Sequence, residues 1–263
     1  MNTPRSTGDL LEVEGLTCRF AGVTAVDDLS FRVKAGEIKA VIGPNGAGKS
    51  TLFNMIAGVT RPTEGAIKFD GARVDRLPTH ARARRGIART FQNLQIFREM
   101  SVLENVMVGR HLRGRATTLS ALLHIPSVGA EERAMEAIAM ALLERFGLAA
   151  KAGLPAGSLA FGQMKVLELA RALASEPRLL LLDEPAAGLP HAEADKMAET
   201  IRDLNRDGMT VLLVEHNMRM VMSLSHDILV LNNGRRIAEG AAEDVRRHPE
   251  VLSAYLGEEA VDA

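Results

Sequence analysis

The stretch Ile38-Lys39-Ala40-Val41-Ile42-Gly43-Pro44-Asn45-Gly46-Ala47-Gly48-Lys49-Ser50-Thr51-Leu52 decides the fold. It opens with a short, β-branched apolar run and passes through a glycine-rich middle. The segment Leu52 to Ala57 then reads as a helix stopped by Gly58. Strand, loop and helix in that order, with the spacing G-x-x-x-x-G-K-[ST] from Gly43 to Ser50, predict a phosphate-binding loop. Its glycines let backbone N–H groups close around phosphate oxygens, and the helix N-terminus adds the positive end of a dipole. Lys49 is expected to reach the β- and γ-phosphates and the Ser50 hydroxyl to hold Mg²⁺, with Pro44, Asn45, Gly46, Ala47, Gly48 and Thr51 completing the cradle.

Outward from this loop the same alternation returns. Leu179 to Leu182 is a continuous apolar run, as a strand buried on both faces requires, and a polar helix follows from about His191 to Asn205. Thr210 to Val214 reads as another strand. These units predict an α/β fold built on a parallel sheet covered by helices, with ligands at the carboxyl ends of the strands. Upstream, Leu10 to Phe31 alternates loosely around Gly15, Gly22, Asp27 and Asp28, which suits short antiparallel strands. Between the α/β units lies a helical stretch from about 102 to 174. There Met135, Ile138, Leu142 and Phe146 paint one apolar stripe on a helix beginning near Glu131, while 114 to 129 shows no clear period. Asn233-Gly234 marks a hairpin turn. The whole reads as one domain over 10–257 with a helical insertion, flanked by tails 1–9 and 258–263.

Composition narrows the class. The chain has 263 residues, 46% hydrophobic and 25% charged, with mean hydropathy +0.02, which is ordinary for a globular domain. No apolar run reaches the ~18 residues of a membrane span, and the start has no apolar signal core, so a cytoplasmic protein is expected. One cysteine, Cys18, excludes an internal disulfide and a multi-thiolate zinc site. Lys and Arg number 32 against 33 Asp and Glu, so there is no global pull toward nucleic acid. The arginines at 73, 76, 82, 84, 85 and 89 read as a solvated helix face or as a contact with a membrane subunit or acidic lipid.

Leu182-Asp183-Glu184 ends the second buried run. In a phosphate-loop nucleoside triphosphatase Asp183 would bind Mg²⁺ through water and Glu184 would orient or deprotonate an attacking water. Leu159-Ala160-Phe161-Gly162-Gln163 stands about twenty residues earlier and resembles the L-S-G-G-Q signature of ATP-binding subunits of ABC transporters. The resemblance covers nearly the whole chain and implies a P-loop NTPase (RecA-like) core with a small antiparallel β subdomain and a helical insertion. It further implies that Gln92, in Arg89-Thr90-Phe91-Gln92-Asn93, touches Mg²⁺ and water and couples to the membrane subunit. His216 would contact the γ-phosphate. Phe20 falls where the family stacks an aromatic ring on adenine, although a Phe in a β region also suits the core. Leu159, Gly162 and Gln163 would close over the ATP of a second ATPase subunit, identical or paralogous.

Two positions depart from the family pattern. Ala160 replaces the signature serine, which removes one hydroxyl, and Ala187-Gly188-Leu189-Pro190 stands where many members have a loop ending in aspartate. Arg89 to Asn93, the signature, Glu184-Pro185-Ala186-Ala187-Gly188-Leu189 and Ala254-Tyr255-Leu256-Gly257 are similar to the larger ATPase of branched-chain amino acid importers. That resemblance implies an ATPase at the cytoplasmic face of the inner membrane, working with permease subunits and, indirectly, a solute-binding protein. Importers of urea, amides or aromatic acids share this ATPase type. Leu77 to Ile87 equally resembles the ATPase of lipopolysaccharide export. A soluble ABC ATPase, a small-molecule P-loop kinase and a nucleotide sensor are the readings outside transport.

Overall fold

The structure, a computed structural model, describes residues 8–90, 94–110 and 126–259. Two long strands lead the chain, β1 (Asp9–Phe20) and β2 (Val23–Lys34), joined by the two-residue turn Ala21-Gly22 with both φ angles positive. In place of the short strands expected here, the chain forms one hairpin of two 12-residue strands. Gly15 and Asp28 are not turns. They sit inside the strands at φ of 55° and 47°, where the β1–β2 register slips, and the Gly15 N–H donates to Ser30 Oγ at 2.8 Å. An extra residue absorbed as a bulge carries the same glycine and aspartate that a turn would.

Strands β4 (Glu64–Phe69) and β5 (Ala72–Arg73) extend this hairpin into a four-stranded antiparallel sheet ordered β2-β1-β4-β5. The second sheet has six strands in the order β10-β9-β3-β8-β7-β6. Here β3 is Ile38–Ile42, β6 Ile87–Arg89, β7 Leu179–Asp183, β8 Thr210–Val214, β9 Asp227–Asn232 and β10 Arg235–Gly240. All pairs are parallel except β9–β10, whose Asn233-Gly234 turn has the expected positive φ at both residues.

The parallel strands are mostly apolar because both faces are covered. Leu179 and Leu181 point with Val41, Leu212 and Leu229 into a core shared with the antiparallel sheet and helix α1 (Lys49–Ala57). Leu180 and Leu182 point the other way, with Val211 and Leu213, onto helix α6 (His191–Arg206). Between the α/β units the described residues 102–110 and 126–174 are mostly helical. Helices α3 (Val102–Arg110), α4 (Pro126–Arg145) and α5 (Phe161–Ala174) share a core of Val102, Val106, Leu143, Leu159 and Leu167. Ser101 starts α3 with a capping box: its Oγ accepts from the Glu104 N–H at 3.1 Å, while Glu104 Oε2 accepts from the Ser101 N–H at 2.7 Å. Helix α4 begins earlier than expected, and its buried stripe centres on Ala139 and Leu143, one residue past Ile138 and Leu142. Residues 111–125 lie outside the described set.

The arginine face is only partly solvated. Arg82, in helix α2 (Thr79–Arg84), is 1% exposed and ends among carbonyl oxygens. Short helices α7 (Met218–Leu224), α8 (Ala242–Arg247) and α9 (Pro249–Glu259) close the other edge of the sheet.

Candidate nucleotide site

The loop between β3 and α1 is held open from two sides. A Cβ on Gly43, at φ of 150°, would lie 2.1 Å from the Leu231 carbonyl oxygen, and one on Gly48 would lie 2.4 Å from that of Ala25. Only glycine lets β9 and β2 approach this closely. The β9–β10 turn joins in: Gly234 N–H donates to Ala47 O at 3.1 Å, and Asp27 N–H to Gly234 O at 2.9 Å. Lys49 Nζ folds back onto the loop, donating to Gly43 O at 2.5 Å and Pro44 O at 2.8 Å. Asn45, Gly46 and Ser50 are exposed, Pro44, Lys49 and Thr51 partly so, and Ala47 is buried. A loop in this state offers backbone donors and an ammonium to a phosphate chain.

Phe20 ends β1 opposite Val23 and is 48% exposed, so the core alternative for this ring does not hold. Ala25, the neighbour of Gly48, follows two residues along β2.

Asp183 and Glu184 stand at the carboxyl end of β7, as the α/β rule requires. Asp183 is 3% exposed. Its N–H donates to Thr90 Oγ1 at 3.4 Å, and its Oδ2 accepts from Arg89 Nη2 at 2.8 Å. Glu184 takes φ of 49°, uncommon for a residue with a Cβ, which turns its side chain out of the strand direction. His216 Nδ1 lies 3.8 Å from Glu184 Oε1, with the imidazole 70% exposed and the carboxyl 21%. The sequence did not single out Glu215, which is 1% exposed. Its Oε1 accepts from the Ala186 N–H at 2.9 Å, and its Oε2 from the His216 and Asn217 N–H groups at 3.0 and 3.1 Å. One carboxyl thus ties the loop after Glu184 to the loop that carries His216. Only its place beside His216 could have signalled this.

The signature segment sits in a different neighbourhood, at the start of α5. Leu159 is 4% exposed within the helical core, and Gln163 Oε1 accepts from Lys151 Nζ at 2.8 Å. A Cβ on Gly162 would lie 2.1 Å from Glu193 Oε2, and the Phe161 ring, 46% exposed, faces Gly188. Ala160 precedes the helix without a side-chain cap. The structure therefore brings Lys49, Ser50 and the end of β7 to the carboxyl end of the parallel sheet, and leaves the signature against α4 and α6. Gln92 falls outside the described residues.

Comparison with known proteins follows the same line. The ABC transporter family matches residues 26–187, and the branched-chain amino acid ATP-binding cassette transporter family matches residues 235–261. The high-affinity branched-chain amino acid transport ATP-binding protein BraF of Pseudomonas aeruginosa is 44% identical over 250 residues, covering 95% of this chain and 98% of its own. The corresponding protein LivG of Escherichia coli is 43% identical over 251 residues, with the same coverage. Among solved structures, a nucleotide-free ATP-binding cassette from an ABC transporter superposes with a TM-score of 0.82 at 33% identity, over 94% of this chain and 98% of that one. The ADP conformation of an ABC transporter cassette gives 0.83 at 33% identity, over 95% and 100%.

Proposed function

The chain belongs to the ABC transporter family as an ATP-binding, ATP-hydrolysing subunit, and from that premise we propose that it drives import of branched-chain or other hydrophobic amino acids through separate permeases. The observation that carries the solute class is the match of residues 235–261 to the branched-chain amino acid cassette family, together with 43–44% identity to two transport ATPases of that class. No described helix is long and apolar enough to cross a membrane. We take 10–257 as one cassette domain, peripheral at the cytoplasmic face, that works as a dimer with an identical or paralogous ATPase.

In this reading Phe20 stacks on adenine, while Gly43 to Gly48 and Thr51 cradle the phosphates. Lys49 leaves the carbonyls of Gly43 and Pro44, at 2.5 and 2.8 Å, for the β- and γ-phosphates. The donor set at Ser50 and Asp183 fits Mg²⁺, which takes oxygen ligands and is held by one or two carboxylates plus nucleotide phosphates. Bound there, Mg²⁺ would neutralise charge developing on the phosphates. Glu184 takes the proton of the attacking water or orients it, and His216 beside it steadies the γ-phosphate. Leu159, Gly162 and Gln163 serve the nucleotide of the partner subunit, which suits their position against α6, away from this chain's own loop. Gln92 reports γ-phosphate occupancy to the permease. A groove of about 400 Å³, lined by Val59, Ile87, Ile96, Phe97, Val108 and Ala172 and reached by Arg89 and Gln95, suits a segment of that permease.

Steady-state hydrolysis by purified chain tests the chemistry. Glu184→Gln is expected to lower it by about 100-fold or more while nucleotide binding persists, since removing a general base typically costs that much. Unchanged hydrolysis in that variant would refute the assignment.

A further inference from the structure

Arg89 ends β6, and both arms of its guanidinium fork are engaged. Nη1 donates to Asn54 Oδ1 at 2.6 Å and Nη2 donates to Asp183 Oδ2 at 2.8 Å. The Arg89 side chain is 10% exposed and that of Asp183 4%, and the guanidinium carbon lies 5.9 Å from the centre of the Phe53 ring. Asn54 follows Ser50 by one helical turn on α1, so the two share a helix face. Arg89 therefore spans from the helix that begins with Ser50 to the strand that ends with Asp183. Its own main chain continues into Thr90, whose hydroxyl accepts from the Asp183 N–H, and then toward Gln92.

We propose that Arg89 is a positioning residue for the Mg²⁺ site: it fixes the separation of α1 from the end of β7 and anchors one Asp183 oxygen, leaving the other to face the metal's water shell. A planar fork with two divergent donors spans two acceptors at once, which a lysine ammonium cannot do with the same geometry. Burial makes the pairing stringent, because an aspartate this enclosed needs an opposite charge beside it. The assignment rests on the reading of Ser50 and Asp183 as the pair that holds Mg²⁺.

Mn²⁺ serves as the probe, titrated by electron paramagnetic resonance onto the full chain saturated with a non-hydrolysable ATP analogue. Nucleotide affinity is measured separately in EDTA. Arg89→Met is expected to weaken Mn²⁺ binding by about 10- to 100-fold, the range found when a group that orients a metal ligand is lost. Affinity for the analogue in EDTA should stay within about twofold, which a general loss of structure would not allow. Asp183→Asn is run in parallel. If Asp183→Asn leaves Mn²⁺ affinity intact, the metal reading falls and this inference with it; if Asp183→Asn weakens binding and Arg89→Met does not, only the role of Arg89 is overturned. Should Arg89→Met not fold, Arg89→Lys and Asn54→Ala decide, since both keep a cation beside Asp183. A several-fold loss of Mn²⁺ affinity in both supports the proposal, and wild-type affinity in both overturns it.

Discussion

Glu215 shows how one buried carboxyl sets the positions of groups it does not resemble in role. It accepts from the N–H groups of Ala186, His216 and Asn217, so the separation between Glu184 and His216 depends on it. Glu215→Ala leaves three backbone donors without their acceptor in a site that is 1% exposed. The expected cost is about 2–3 kcal/mol in urea denaturation, with slower hydrolysis and nearly unchanged ATP affinity, because the phosphate loop keeps its own supports. A variant with wild-type stability and turnover would show that these bonds are dispensable. This residue illustrates what the sequence hides. The phosphate loop and the Asp183-Glu184 pair stand out as candidates because their chemistry dictates type and spacing together, whereas His216 stands out only through the family resemblance. Glu215, Arg82 and Arg89 carry ordinary surface chemistry, and only the tertiary packing reveals that they are enclosed.

At the scale of elements, helix α1 must present Lys49 and Ser50 at its N-terminus while its C-terminal carbonyls are buried. Gly58 closes it in the left-handed conformation at φ of 83°, and Arg82 supplies the rest of the cap. The Arg82 guanidinium donates to Met55 O, to Ile56 O at 2.9 Å, to Leu77 O at 3.0 Å and to Asp75 O at 2.9 Å. Its charge also opposes the negative end of the helix dipole. Arg82→Met is expected to destabilise the fold by about 3 kcal/mol, read by thermal or urea unfolding, because several buried acceptors lose their donor. A loss below about 0.5 kcal/mol would mean that water replaces the guanidinium. Strands β7 and β8 and helix α6 lie within a residue or so of where periodicity puts them, since a strand covered on both faces must be apolar throughout. The sequence pattern suggests shorter strands where the β1–β2 hairpin stands, for a local reason. Gly15 and Asp28 satisfy a bulge by the same positive φ that satisfies a turn, and no single-sequence signal separates the two.

For the whole molecule, Lys39 on the interior strand β3 ties the edge strand β10 and its neighbour β9 into the six-stranded sheet. Its side chain is 3% exposed on β3 and bridges Asp227 of β9 and Glu239 of β10, two groups about a quarter exposed. Burial alone would lower the pKa of the ammonium, but the hydrogen bonds to Asp227 and Glu239 outweigh it, and the value lies above that of an ordinary lysine. A base with a raised folded-state pKa contributes fully below its unfolded pKa and loses that contribution as pH climbs through the folded value. The stability gap between wild type and Lys39→Met, about 3 kcal/mol, should therefore stay flat from pH 7 to about pH 10 and shrink only above it. A gap that closes below pH 9 would contradict this. In the function proposed here, the carboxyl end of the parallel sheet, with Lys49, Asp183 and Glu184, converts ATP binding into work on a membrane partner. Affinity purification of the tagged Glu184→Gln form, trapped in ATP, from detergent-solubilised membranes of the native host, with partners identified by mass spectrometry, tests it most directly. Two polytopic permeases together with an ATPase partner are the expected recovery, whereas lipopolysaccharide-export components, or ribosomes without any membrane protein, would overturn the importer function.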